Sequence, residues 1–410
     1  MRLYNKARKA ELLSRYNLDA IVATSPVSVY YFTGFDCWMY RTFREGMDQA
    51  GAPESLRQAY AVVPQEGEPI LVCGTDVFDF TDEPEVEVRP YGGWKGKPVE
   101  RGTAQGSVAR YRRCVSFEKE SPEAALLTSL DSLGVARGRL AVEPGNMNVR
   151  TKATLARKDG LTVLDGTQLV RQIRMLKTAE ELRRIRAAAE ITERGMIKAL
   201  ATAKPGMAAG RMTRVFRQLV STSGAEVDHF TYSPNGLGMT DREDHIIGNK
   251  GCMFIDCGCR YRQYYSDTGT TILLSSGGNK EAAIYERMWN VFESCADELR
   301  HGTLPSEILG GFEARYRKQG VKGVDYEGHG IGLEPRETPV IGHTSYRMIS
   351  DDVSSQDVNA PLEAGMVINL ESSLFLPGRA SYQLEKTFLI GHRRATEMTP
   401  LRKSVLLTCR

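Results

Sequence analysis

Along the 410-residue chain, apolar and polar positions first alternate between short strand-like runs and helix-period segments. Residues 1–20 predict a helix with Leu12, Leu13 and Tyr16 on one face. The apolar run Ala20–Ala23 predicts a buried strand, and Tyr30-Tyr31-Phe32-Thr33-Gly34-Phe35 closes this first unit. Residues 36–59 carry Trp38, Tyr40, Arg41, Arg44 and Glu45 and are long for a loop. They read as a lid, a partner-contacting segment or an irregular helix. Further strands are expected at 60–63, 69–72 and 140–143. Strands alternating with helices make residues 1–170 an α/β domain.

The pattern then changes. Residues 170–200 form the clearest helix, with Leu182, Ile185, Ala189 and Met196 near one face and a capping box at Thr178-Ala179-Glu180-Glu181. A domain boundary is placed just before it, so residues 171–410 form a second domain. A helix at 209–221 precedes a strand at 228–235. A hairpin follows at 251–274, GCMFIDCGCRYRQYYSDTGTTILL. Its apolar run Met253-Phe254-Ile255 ends at Asp256, a polar turn is expected at 257–260, and the return strand reaches Asp267. Helices at 281–299 and 305–319 precede strands and polar loops from Val324 onwards. The second domain is therefore α+β, with a mostly antiparallel sheet.

Composition narrows the function classes. Apolar content of 41% with 26% charged residues fits a soluble globular protein. A net charge of +3, with Lys and Arg dispersed among acids, excludes a nucleic-acid footprint. No run is long enough to span a membrane, and the charged N-terminal stretch lacks a signal-peptide core. Eight scattered cysteines, with C-x-C at 257 and 259 in place of paired C-x-x-C knuckles, read as reduced thiols in a cytoplasmic protein.

The candidate chemistry lies in the second domain. Asp256 and Asp267 alone would be a turn cap and a solvated acid. His329 sits between glycines in Tyr326-Glu327-Gly328-His329-Gly330, and a lone histidine is more often structural than a ligand. Glu371 and Glu385 end the runs Met366-Val367-Ile368-Asn369-Leu370 and Tyr382-Gln383-Leu384. Together they make four carboxylates and one imidazole, a donor set suited to Mn, Fe, Co or Zn. Four converging carboxylates repel one another unless cations such as two divalent ions share them.

The order Asp, Asp, His, Glu, Glu resembles the pita-bread metallopeptidases, family M24, in the Xaa-Pro peptidase, prolidase and creatinase branch. Leu18-Asp19-Ala20-Ile21-Val22 with Tyr31-Phe32-Thr33-Gly34-Phe35 is similar to that branch's N-terminal domain. Arg174-Met175-Leu176-Lys177-Thr178-Ala179-Glu180-Glu181 is similar to its linker, and Leu362-Glu363-Ala364-Gly365-Met366 to the turn before its fourth ligand. The resemblance implies a creatinase-like N-terminal domain followed by a pita-bread domain with a curved, mostly antiparallel sheet. It implies two divalent ions per chain: Asp256 on the first, Asp267 and Glu385 bridging, His329 and Glu371 on the second. Glu371 and His329 become the catalytic residues, with a metal-bridging hydroxide attacking an amide carbonyl and Glu371 accepting a proton. It also implies a homodimer.

Departures from the family pattern cluster around the substrate. Proline-specific members carry a V-H-E triplet where this chain has Pro335-Arg336-Glu337. Arginine cannot shuttle a proton, but it grips carboxylates. The expected Glu-Pro is Glu371-Ser372, and the arginine two before the last glutamate is Gln383. His229 and His245 flank the place of a further family histidine. Arg336, His229, His245 and Gln383 are therefore the substrate-binding candidates, and His343 reads as a loop histidine. The leading expectation is an Xaa-Pro peptidase acting on short peptides. The alternative is an offshoot taking a small non-peptide substrate, as creatinase, ectoine hydrolase and one class of dimethylsulfoniopropionate lyase do. A silent binding module would have lost ligands, and none is lost.

Overall fold

A computed structural model of the chain describes residues 3–37, 58–75, 77–79, 86–92, 106–274, 279–342, 347–399 and 407–408. Trp38, Tyr40, Arg41, Arg44, Glu45 and His343 lie outside the described residues. The chain divides into two compact units, Met1–Arg174 with Ile349–Ser355, and Met175–Met348 with Gln356–Arg410.

The first unit is built on β1 (Ala20–Ala23), whose four residues are all buried. It pairs antiparallel with β2 (Tyr60–Pro64) and parallel with β5 (Arg139–Val142). With β3 (Ile70–Gly74), β4 (Glu87–Tyr91) and β6 (Thr162–Asp165) this gives a mixed sheet, ordered β4-β3-β2-β1-β5-β6. Val22, Val62, Val72, Leu126, Leu130 and Leu155 share its core. Helix α1 is shorter than the sequence suggests, Lys6–Arg15. Asn5 caps its start, accepting the Arg8 amide, and Asn17 breaks away with φ of 51°. The aromatic run at 30–35 closes helix α2 (Pro26–Thr33), with left-handed Gly34 as its cap. Helices α3 (Ser107–Val115), α4 (Pro122–Ser132) and α5 (Val149–Ala156) also belong to this unit.

The single helix expected over 170–200 is two, α6 (Thr167–Met175) and α7 (Ala179–Leu200). The capping box is the reason. Thr178 is extended, its hydroxyl accepts the Glu181 amide, and the Glu181 carboxylate accepts the Thr178 amide at 2.7 Å. A residue serving as N-cap cannot also continue a preceding helix. Ile185, Ala188, Ala189 and Met196 are buried on α7.

The second unit's sheet runs β11-β10-β14-β15-β9-β8-β7, and the pairings along this path are antiparallel. Its strands are β7 (Glu226–Ser233), β8 (Cys252–Tyr261), β9 (Tyr264–Leu273), β10 (Val324–Gly330), β11 (Glu337–Ile341), β14 (Val367–Leu376) and β15 (Ala380–Leu389). Short strands β12 (Met348–Ser350) and β13 (Ser355–Asp357) pair with each other. Strand β16 (Thr396–Glu397) joins β15, and β17 (Leu407–Thr408) joins β9 in parallel. Helices α7 and α8 (Gly210–Thr222) bury Met196 and Phe216 in one core with Cys257 and Cys259 of β8. Helices α9 (Asn279–Ala296) and α10 (Pro305–Gln319) bury Phe292 and Phe312 in another with Leu370 and Leu384. Side chains alternate along a strand, so the partners of these positions point to the other face. That face carries the site.

The expected turn at 257–260 is also corrected. Strand β8 runs straight through Cys257, Gly258 and Cys259, and the hairpin reverses at Arg262 and Gln263, with φ of 48° and 72°. Two successive positive φ angles match the twist of the flanking strands, although this pair lacks the usual Asn-Gly signature. Cys257 and Cys259 are buried among helices, so they fill the core.

Candidate metal centre

Register assembles the site. On one rung of the sheet Glu327 opposes Glu371, Glu371 opposes Glu385, Glu385 opposes Gly269, and Gly269 opposes Asp256. Asp267 precedes Gly269 by two positions and shares its face. None of the four candidate carboxylates ends its strand. Each lies within one, Asp256 in β8, Asp267 in β9, Glu371 in β14 and Glu385 in β15, on strands whose residues are mostly buried. Like charges directly opposite one another are unfavourable in a sheet.

Two groups of donors form along this face. His229, Asp256 and Asp267 offer atoms within 4.8 Å of one another, and so do Asp267, His329 and Glu385. Asp267 belongs to both groups. The buried His329 ring directs Nδ1 at the Gly330 carbonyl, 3.0 Å away, while Nε2 has no hydrogen-bond partner among the described residues. Asp267 Oδ1 likewise lacks one, although His229 Nε2 lies 3.4 Å off. Two orphaned buried atoms of ligand type, in an oxygen-rich set with imidazole, are the donor chemistry divalent ions require. The residues present fit a metal.

Glu385 is held by Asn369 Nδ2 at 2.6 Å and Gln383 Nε2 at 2.8 Å. Gln383 thus acts on a carboxylate of the centre, and a side chain at Gly269 would collide with it. Glu371 Oε1 is 4.0 Å from His329 Nε2 and 2.5 Å from Arg336 Nη2, which also reaches Glu327 at 2.5 Å. Glu334 and Glu337 lie beside Arg336 in the sequence, but its described partners are Glu327 and Glu371. Glu337 instead pairs with buried Lys177 at 2.6 Å and accepts the Leu333 and Glu334 amides, which pins the loop carrying Arg336. His245 lies apart from both groups, its ring 5.7 Å from that of Tyr232.

The electrostatics follow from burial and crowding. Burial, then its neighbour Glu327, pushes Glu371 up to about 8. Burial and the charges of Asp267, Asp256 and Glu371 raise Glu385 well above the carboxylate range. Burial raises Asp256 too, with Asp267 adding to it. Burial lowers His329 and so favours its neutral, ligating form. Burial opposes charge on His229, but the carboxylates of Asp228, Asp256 and Asp267 outweigh it and raise that imidazole. The partners that sequence reading passed over are Glu327, Asn369 and Asp228. Glu327 and Asn369 each lie two residues before a candidate ligand, the period of a strand face.

Residues 183–392 match the model of metallopeptidase family M24, and residues 6–176 match the creatinase/prolidase N-terminal domain. The chain is 23% identical over 409 residues to an Xaa-Pro dipeptidase of Pyrococcus furiosus, covering 97% of each. Among solved structures it resembles the X-Pro aminopeptidase of Thermotoga maritima (TM-score 0.70, 17% identity, 98% of this chain and 99% of that one). The prolidase of Pyrococcus horikoshii is similar at TM-score 0.70 and 18% identity, with the same coverage. These likenesses establish the two-part fold, and the family match spans the strands and histidine described above. The chain belongs to metallopeptidase family M24, with a creatinase/prolidase N-terminal domain ahead of the catalytic one.

Proposed function

We propose that this protein is a metal-dependent Xaa-Pro peptidase that cleaves short peptides before proline, with residues 1–170 as its N-terminal domain and 171–410 as its catalytic domain. The observation that carries this reading is the pair of donor groups sharing Asp267. It is supported by the P. furiosus relative named an Xaa-Pro dipeptidase, aligned over nearly the whole chain. Two divalent ions per chain, of Mn, Fe, Co or Zn, match two groups with one shared carboxylate. A homodimer and a cytoplasmic location rest on the family resemblance and belong to the same proposal.

Asp256, Asp267, His329, Glu371 and Glu385 would hold the ions, which when bound acidify water and polarise a carbonyl. The chain's own groups do the rest. With no ion bound, burial and Glu327 push Glu371 up to about 8. Beside a bound ion its carboxylate would be ionised and placed to accept a proton. Arg336 Nη2 fixes that carboxylate from one side. Asn369 and Gln383 keep Glu385 oriented. The small-molecule alternative drew on Arg336 as a grip for an anionic substrate. Its Nη2 is already committed to Glu327 and Glu371, which weakens that support.

The test is hydrolysis of a panel of Xaa-Pro dipeptides, matched dipeptides without proline, and small carboxylated amides. Cleavage confined to the Xaa-Pro set is expected. Turnover of the amides alone would overturn the reading.

A further inference from the structure

One histidine at the site has no counterpart in the five-residue set. His229 lies on β7, where the register against β8 shifts: Val227 opposes Cys259, and His229 opposes Gly258. Asp228 is thus the extra residue of a β-bulge, a device that re-aims side chains next to functional sites. Asp228 Oδ2 lies 2.8 Å from His229 Nδ1, and His229 Nε2 lies 3.0 Å from Asp256 Oδ1. Space for the ring comes from Gly258, where a Cβ would fall 2.8 Å from His229 Cε1. A bulge, an orienting carboxylate and a glycine vacancy all serve one orientation of one imidazole.

We propose that His229 is a sixth protein donor of the metal centre, ligating through Nε2 beside Asp256 and Asp267, with Asp228 as its positioning residue. The inference rests on the metal-centre reading above, but not on the substrate. A carboxylate on the remote ring nitrogen fixes tautomer and ring orientation, the usual outer partnership of a metal-bound histidine. Each donor group then contains one imidazole, His229 in the first and His329 in the second. The bland rival is that His229 remains a protonated counter-ion to the acidic rung and takes the place of an ion.

The experiment uses the full chain, stripped by chelation, with Co(II) as the probe. Bound cobalt per chain, dissociation constants and the visible spectrum are measured for wild type, His229→Asn, His229→Gln and Asp228→Asn. Thermal melts of the stripped proteins confirm folding. Wild type should bind two ions. His229→Asn and His229→Gln should each weaken one of them by more than ~100-fold and alter the spectrum of that site alone. Asp228→Asn should weaken the same ion by ~10–100-fold, the range for an outer partner. Two His229 variants guard against a single misfolded one. Wild-type affinity and spectrum in both would overturn the inference and leave the peptidase reading intact. One ion in wild type and two in His229→Asn would show a counter-ion in place of a ligand. No cobalt in wild type would overturn both readings.

Discussion

The two ends of the acidic rung neutralise their carboxylates differently. At the β7–β8 end the resident partner of Asp256 and Asp267 is the imidazole of His229. At the β10–β14 end the partner of Glu371 and Glu327 is the guanidinium of Arg336. An imidazole can exchange its proton for a metal ion, whereas a guanidinium stays charged and never ligates. The first end can therefore trade its resident positive charge for a metal ion, while the second keeps a fixed positive charge beside its donors. Donors lie at both ends of the face, His229 and Asp256 at one and His329 and Glu371 at the other.

The largest effect that would test this contrast is at Asp267, which both donor groups share. Asp267→Ala should weaken binding of both ions by well over ~100-fold, beyond the loss typical of an outer partner, as read by elemental analysis after dialysis. Loading at wild-type level would show that the two groups are not joined. Next, Glu371→Gln replaces a ligand carboxylate with a neutral amide that cannot accept a proton. It should weaken the second ion and, in protein loaded with excess metal, still lower kcat by ~10²–10⁴. Wild-type kcat at full loading would remove Glu371 as the proton acceptor.

A buried carboxylate off the rung offers the third test. Burial holds Glu181 up at about 7, against an ordinary 4.5, with Lys177 opposing. Its folded-state pKa is raised, so between pH 4.5 and 7 the folded chain holds a proton that the unfolded chain has lost. Stability therefore falls as pH rises through that window, by roughly 3 kcal/mol at most. Glu181→Gln should match wild type near pH 4.5 and exceed it increasingly up to pH 7 in urea melts. A gap that does not change with pH would remove Glu181 as the cause. The smallest effect is expected at Arg336, whose side chain is 57% exposed. Arg336→Ala should cost about 1.5–3 kcal/mol in kcat/KM, the range for a hydrogen bond to a charged group. Arg336→Lys should recover part of it, because an ammonium keeps the positive charge but not the reach and planar donors of the guanidinium. Unchanged kinetics in both would leave Arg336 a surface ion pair.

Much of this was legible from spacing. Acidic residues recurring in apolar runs marked Asp256, Asp267, Glu371 and Glu385 as candidates beside the glycine-flanked His329, and the family resemblance made them a set. Their placement at strand ends was wrong, since a polar residue inside a strand with one functional face looks locally like the strand's end. The helix over 170–200 was overextended because its apolar period continues across Thr178, although the capping box there marked the break. The Asp228 bulge was not legible, because register depends on the partner strand and no local residue type announces it. Arg336 was recognised as a departure, but its partners, Glu327 nine positions away and Glu371 thirty-five away, are set by tertiary contact.

The central claim is that this rung is a metal centre that hydrolyses peptides. The most direct test is the Xaa-Pro dipeptidase activity of the full chain after exhaustive chelation, followed by stepwise return of Mn(II) with bound metal counted at each step. The account predicts no cleavage in the stripped protein, and activity that rises with bound ion and saturates near two per chain. Undiminished cleavage by the metal-free protein, or none in the fully loaded one, would contradict it.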